Sequence, residues 1–370
     1  MNLEFTPSQS SLRDEVRALL EQRCDSQAAR RAEAGEPGYD PELWAEFGRR
    51  GWLGLPVPSA RGGAGGSCVE LALVGEELGR AACPLPWQTG ALQAGAALGA
   101  LGGASERTRL AAALRGELRL SFALAEPDSP VDPAGVRLEA APSADRWELR
   151  GVKRFVGFAH SAEAFLALAR SAAGVGLFWV EAGAPGLERV RLDSIAADAP
   201  CELRFDGAPA ELLGADGGAL PEIGTLLDRA AVALCAELAG GARAALDYAL
   251  DYVRRRQQFG RAIGSFQAIR HRAADMLMQA DAARCAAYEA ATRLDAGLPA
   301  ELHVAMAQVT CTHAAQRVTA AAHQMMGGVG FYADRDLQLW YRRARAAAPL
   351  LGAEGQRLER VAKALELEAG

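Results

Sequence analysis

The stretch Arg254–Arg255–Arg256–Gln257–Gln258–Phe259–Gly260–Arg261–Ala262–Ile263–Gly264–Ser265–Phe266–Gln267 stands between two long runs of helical periodicity, 226–256 and 266–295. Read as a glycine-bearing turn, it makes those runs consecutive helices of one bundle. Two more periodic runs follow at 300–327 and 337–348, with a terminal helix from 356. Four long antiparallel helices would bury their alanine-rich faces against one another.

Upstream the texture differs. From 120 to about 213, short apolar runs alternate with Gly, Pro and Asp: Ser121–Phe122–Ala123–Leu124, Trp147–Glu148–Leu149, Phe165–Leu166–Ala167–Leu168, Gly176–Leu177–Phe178–Trp179–Val180 and Glu202–Leu203–Arg204–Phe205. Each is strand-length, which predicts a small antiparallel β domain. The first third is helical again. An amphipathic helix fits 7–22, with Ser8 as N-cap and Leu12, Val16, Leu19 and Leu20 near one face. Further helices fit 41–50, 68–82 and 91–120. The expected fold is mostly α with a central β domain: an N-terminal α domain (1–118), a middle antiparallel β domain (119–218) and a C-terminal four-helix bundle (219–370).

Composition bounds the function. The 370 residues are 50% hydrophobic and 23% charged, with a formal charge of −6. Of the 40 basic residues only Lys153 and Lys363 are lysines, and no polybasic tract offers a nucleic-acid footprint. The seven cysteines form no C-x-x-C pair, so they read as reduced small hydrophobes. The five histidines (His160, His271, His303, His313, His323) have no metal-ligand spacing. Residues 1–17 are polar and do not read as a signal peptide. Residues 81–105 carry no charge, yet their prolines, glycines and glutamines argue against membrane insertion. A cytoplasmic protein is expected.

Two segments carry chemistry. In 254–267 an arginine cluster precedes a glycine turn and an amide at a helix start. That set suits a phosphate, gripped by guanidinium forks, and a planar base addressed by Phe and Gln; a solvated charged helix end is the alternative. The other is Gln324–Met325–Met326–Gly327–Gly328–Val329–Gly330–Phe331. Residues 328–333 match G-x-G-x-x-A, but a helix precedes them where a dinucleotide fingerprint needs a strand, so that reading is rejected. A helix C-cap remains the simple alternative.

In this order the motifs resemble the acyl-CoA dehydrogenase family over nearly the whole chain. The resemblance is carried by Trp44–Ala45–Glu46–Phe47–Gly48, Gly54–Leu55–Pro56–Val57–Pro58, Gly62–Gly63–Ala64–Gly65–Gly66, Glu76–Glu77–Leu78–Gly79–Arg80, Glu126–Pro127, Gly151–Val152–Lys153–Arg154–Phe155–Val156 and the two segments above. It implies bound FAD and α,β-desaturation of an acyl-CoA thioester: a carboxylate removes the Cα proton while the flavin takes hydride from Cβ. It also implies an electron-transfer flavoprotein as acceptor and a homo- or heterotetramer. Arg256 resembles the residue that reaches the FAD pyrophosphate of a neighbouring subunit, with Phe259 and Gln267 beside the adenosine part. Gln324, Gly327 and Gly328 resemble the turn that approaches the same ADP moiety. Leu124, Ala125, Phe155 and Val156 fall on the flavin side.

The chain departs from the family pattern at the chemistry. Where relatives have Thr–Glu–Pro followed by Gly–Ser–Asp, it has Ala125–Glu126–Pro127–Asp128–Ser129–Pro130. Where they have Lys-x-aromatic-x-Thr, it has Lys153–Arg154–Phe155–Val156–Gly157, so two threonine hydroxyls are missing. Aligning Arg342–Arg343–Ala344–Arg345 with the family's Arg–Asp–Ala–Lys puts Leu351–Gly352 on the usual catalytic Glu–Gly. A three-residue slip would make Glu354 the base. Relatives with the base on the first bundle helix align it with Ala230, and Glu237 follows about two turns later on the same face. Among Leu234, Cys235, Ala236, Leu238, Ala239 and Gly240, Glu237 is either a base with a raised pKa or a structural glutamate bonded to backbone. The ending Leu350–Leu351–Gly352 resembles subunits of heterotetrameric enzymes acting on steroid side-chain thioesters. A silent partner subunit completing another chain's FAD site is therefore the alternative.

Overall fold

A computed structural model of the chain describes residues 4–127, 131–144, 146–196 and 200–366; Asp128, Ser129 and Pro130 of the run quoted above lie outside them. Helices α1 (Pro7–Arg23), α2 (Ser26–Ala34), α3 (Pro41–Arg49) and α4 (Cys68–Ala81) come first. A π-helical stretch, Trp87–Gly95, leads into α5 (Ala96–Leu101), and α6 (Arg107–Leu114) follows. Strands β1 (Leu120–Ala123), β2 (Glu139–Ser143), β3 (Arg146–Val156), β4 (Ala164–Arg170), β5 (Val175–Glu181), β6 (Leu187–Arg191) and β7 (Cys201–Leu213) make one sheet. The remainder is α7 (Leu220–Arg255), the hairpin β8 (Gln257–Gln258) and β9 (Arg261–Ala262), α8 (Gln267–Asp295), α9 (Glu301–Met326), α10 (Leu337–Ala347) and α11 (Glu354–Ala364).

Local chemistry corrects three expectations. Thr6, not Ser8, caps α1: its Oγ1 accepts from the Gln9 amide (3.2 Å), and Gln9 Oε1 accepts from the Thr6 amide (3.0 Å). Pro7 then fits the first turn, where no amide is needed. The expected helix 91–120 is broken after Leu101 by Gly102–Gly103, and it begins as π-helix. α2 was not expected from its Arg/Ala-rich sequence; Asp25 Oδ1 starts it by accepting from the Ala28 amide (2.7 Å).

The chain divides into two compact units. One comprises residues 31–67 and 84–230 and contains the sheet. Its antiparallel pairings run β4–β5–β7–β3–β2, and one bridge from β2 back to β4 (Glu139↔Arg170) closes the circuit. β1 departs from the antiparallel expectation by lying parallel to β4 (Leu120↔Ala164), which the long intervening chain permits. β4 and β5 are buried at nearly every position and centre the core on Phe165, Leu166, Leu177 and Phe178. β2 and β6 escaped the sequence reading because each is short and largely exposed.

The second unit comprises residues 1–30, 68–83 and 231–370. Its core is built from alanines, with Ala283, Ala287, Ala290 and Ala291 of α8 and Ala307, Ala314 and Ala315 of α9 buried in one cluster. Small side chains let helix axes approach, and α4 and α7 take this furthest. A Cβ on Gly79 would overlap the Glu237 carbonyl oxygen, one on Gly75 the Ala233 carbonyl, and one on Gly240 the Glu76 carbonyl. The two helices therefore touch backbone to backbone. No helix among the described residues is long and apolar enough to cross a membrane.

Candidate active site

That crossing fixes Glu237. The residue lies on α7 opposite Gly79, partly buried, amid Leu234, Cys235, Ala236, Leu238 and Ala239, all buried. Among the described residues its carboxylate accepts no hydrogen bond. Burial pushes it up to about 7, while the nearby Arg343 guanidinium pulls it down. Arg343 comes from α10, where its Nη1 donates to the Cys83 carbonyl just beyond α4 (3.3 Å). Trp340, one turn earlier, donates Nε1 to the Arg80 carbonyl (3.1 Å) and so fixes α10 at the same place. The Cys83 thiol, raised by burial and by its hydrogen bond with Cys24, stays neutral beside the carboxylate. The assembly is one titratable carboxylate with one cation and apolar walls. It can hold a proton near neutral pH and release it, as a general base for a weakly acidic carbon must.

Glu354 is placed otherwise. It opens α11, is exposed, and its Oε1 lies 2.8 Å from His313 Nε2. Leu351, aligned with the family's usual carboxylate, is buried in the alanine core.

The segment 254–267 is a tight hairpin whose two turn residues, Phe259 (φ +56°) and Gly260 (φ +77°), are both left-handed, as a two-residue type I′ turn requires. An aromatic residue adopts that conformation at a cost, and here it leaves Phe259 90% exposed. Arg254 and Arg255 pair with Asp251, whereas Arg256 is exposed and makes no ion pair among the described residues. Gln267, the first residue of α8, is also exposed. The helix C-cap offered for 324–331 is present: the Gly327 amide caps α9 on the His323 carbonyl, and its φ +63°, ψ −148° is a conformation nearly confined to glycine. A Cβ on Gly327 or Gly328 would meet no atom within 4 Å, so the turn exposes bare backbone beside the exposed Gln324. His323 lies against it, its ring tilted at 57° to that of Phe331 (centroids 5.0 Å apart) and edge-on to that of Tyr341 (4.7 Å).

In the sheet-bearing unit, the motifs around Glu126 and Lys153 meet. Lys153 Nζ lies 2.7 Å from Glu126 Oε1 and donates to the Leu124 carbonyl (3.0 Å), with both charged side chains buried. Glu126 also accepts the amides of Arg137 (2.8 Å) and Leu138 (2.9 Å). Burial lowers Lys153 to about 8, and Glu126 pulls it back up. Leu124 and Ala125 follow β1, and the Ala125 carbonyl accepts from the Arg154 amide (2.8 Å). Val156 is buried, while Phe155 stands half exposed at φ +53°. Replacing Lys153 by methionine would strand Glu126 as an uncompensated buried charge; thermal unfolding is expected to show a loss of about 3–5 kcal/mol.

Sequence reasoning missed the Lys153–Glu126 contact and the Arg343–Glu237 proximity. The rarity of lysine and the spacing Gly75-x-x-x-Gly79 against Gly240–Gly241 were the available signals.

Three family models match the chain in order: "Acyl-CoA dehydrogenase, N-terminal domain" over 6–114, "middle domain" over 121–208 and "C-terminal domain" over 220–366. The chain belongs to the acyl-CoA dehydrogenase family. It is 30% identical to acyl-CoA dehydrogenase IpdE2 of Mycolicibacterium smegmatis, covering 95% of this chain and 96% of that one. Among solved structures it is similar to a variant of the steroid ACAD Tcur3481–Tcur3483 (TM-score 0.88, 30% identity, 97% and 98% covered). It is likewise similar to the ChsE4–ChsE5 complex of Mycobacterium tuberculosis (TM-score 0.90, 26% identity, 100% of both chains). Mostly helical with a central sheet, the chain has the architecture expected of an acyl-CoA dehydrogenase.

Proposed function

We propose that this chain carries out α,β-dehydrogenation of a fatty-acyl or steroid side-chain CoA thioester, with Glu237 as the base and Glu354 as a secondary candidate. The observation that carries the reading is Glu237 itself: a partly buried carboxylate, free of hydrogen bonds among the described residues and pushed up to about 7. A thioester α-proton is weakly acidic, so a base of raised pKa in apolar surroundings is better matched to it than an ordinary carboxylate. Arg343 keeps the ionised form accessible and, with Trp340, locks α10 behind it.

The residues present fit FAD. Arg256, unpaired among the described residues, would meet the pyrophosphate, with Phe259 and Gln267 flanking the adenosine part. Gln324 and the bare turn at Gly327–Gly328 admit close approach of the ADP moiety. Leu124, Ala125, Phe155 and Val156 would face the ring system. FAD supplies the hydride acceptor when bound. Because Arg256, Phe259, Gln267, Gln324, Gly327 and Gly328 are exposed in the single chain, they would serve a neighbouring subunit's cofactor in a homo- or heterotetramer. An electron-transfer flavoprotein is the proposed acceptor, the cytoplasm the proposed location, and 1–118, 119–218 and 219–370 the proposed domains.

One observation favours a second reading, a partner subunit that completes another chain's FAD site. Leucine, not a carboxylate, occupies position 351, and two similar structures are named as pairs of chains. Purification of the chain alone decides between them. Stoichiometric flavin, bleached by an acyl-CoA thioester, is the expected result; flavin that appears only with a co-expressed second chain supports the partner reading. Arg256→Gln is expected to weaken FAD binding about 10–100-fold, the effect of losing one charged hydrogen-bonded contact, measured by flavin fluorescence titration.

A further inference from the structure

Lys153, one of only two lysines in the chain, is buried to 0% exposure, and its partner Glu126 is 5% exposed. A buried ion pair is a poor way to gain stability, since apolar side chains of the same volume often serve as well. What it supplies is direction. Through this pair, three stretches distant in sequence are tied at one point: the carbonyl of Leu124, the amides of Arg137 and Leu138, and β3. The Arg154 amide adds a fourth tie, to the Ala125 carbonyl.

Immediately after Lys153 the β3–β7 ladder slips register, between Lys153 and Val156. Phe155 at this bulge takes φ +53° and presents 51% of its surface, with the Arg154 guanidinium 5.4 Å from its ring centroid. Arg154 is held in turn by Glu202 at 2.9 Å. A strained, exposed aromatic residue persists only where its surroundings over-determine it. We propose that the Lys153–Glu126 pair is a positioning device, locking 124–127 and 153–157 into one rigid face on which Phe155 meets the planar ring of bound FAD. This inference rests on the FAD reading above.

The test uses the full chain and three variants: Glu126→Gln, Lys153→Met and the uncharged pair Lys153→Met/Glu126→Gln, in which the carboxamide at position 126 can still accept from one of the two backbone amides. Three readouts are taken: amide hydrogen exchange at 137–138 and 154 without flavin, FAD affinity, and the visible circular dichroism of bound FAD. In the double variant, exchange at 154 is expected to rise at least tenfold while the amides of α8 and α9 are unchanged. Its FAD affinity is expected to fall at least tenfold, with the visible dichroism altered. Glu126→Gln, the mildest change, is expected to show the same pattern with about a threefold loss of affinity, and it serves as the test if the double variant does not fold. FAD affinity within twofold of the parent and unchanged dichroism, in whichever of these variants folds, would overturn the proposal. A parent chain that takes up no FAD, alone or with a partner, instead overturns the FAD reading on which it stands.

Discussion

Gly79→Ala is expected to cost about 2–3 kcal/mol and to damage activity as well, because the added methyl overlaps the Glu237 carbonyl and α4 and α7 must move apart. Gly240→Ala should behave alike, its methyl overlapping the Glu76 carbonyl. Gly224 lies on the same helix α7 as Gly240, but a Cβ there would meet nothing within 4 Å. Gly224→Ala should therefore stabilise by about 0.5–1 kcal/mol, through helix propensity alone. Thermal unfolding of the three variants checks the contrast. Equal effects at all three positions would mean that the close crossing does not hold Glu237 in place.

Glu237→Gln is expected to lower the rate of flavin bleaching by an acyl-CoA thioester by about 10²–10⁴-fold, the usual contribution of a positioned general base. In the parent, that rate should rise about tenfold per pH unit below 7 and level off above it, because only the ionised carboxylate accepts the proton. The same shift predicts an opposite effect on stability. Between the ordinary value near 4.5 and about 7, the folded chain holds a proton that the unfolded chain has released. Stability contributed by the protonated carboxyl is thus lost as pH rises through that window, by roughly 3 kcal/mol in all. Glu237→Gln should consequently melt several degrees higher than the parent at pH 8 and near the parent at pH 4. A variant less stable than the parent at pH 8 would show that the carboxylate is a structural asset.

The fold was legible where periodicity is long. Helices α7, α8 and α9 follow from apolar spacing because each is held by an alanine-rich face, and α10 is held by its buried Leu337, Leu339 and Ala344. β2 and β6 were not legible: Glu139–Ser143 buries only Ala140, and Leu187–Arg191 has no fully buried residue, so neither shows an alternation. At the site, Glu237 could be singled out as a carboxylate in an apolar run. What sets its ionisation could not, since burial arises only from the folded packing and Arg343 reaches it from α10, far away in sequence. Lys153 and Glu126 were visible as two separate motifs, but only the folded sheet joins them.

The central claim, that this chain's own Glu237 removes the substrate proton, is tested most directly by anaerobic titration of the flavin-loaded chain with an acyl-CoA thioester. Parent and Glu354→Gln should bleach alike, because Glu354 is exposed and engaged by His313, while Glu237→Gln should keep its flavin and remain yellow. Normal bleaching by Glu237→Gln together with its loss in Glu354→Gln would contradict the account.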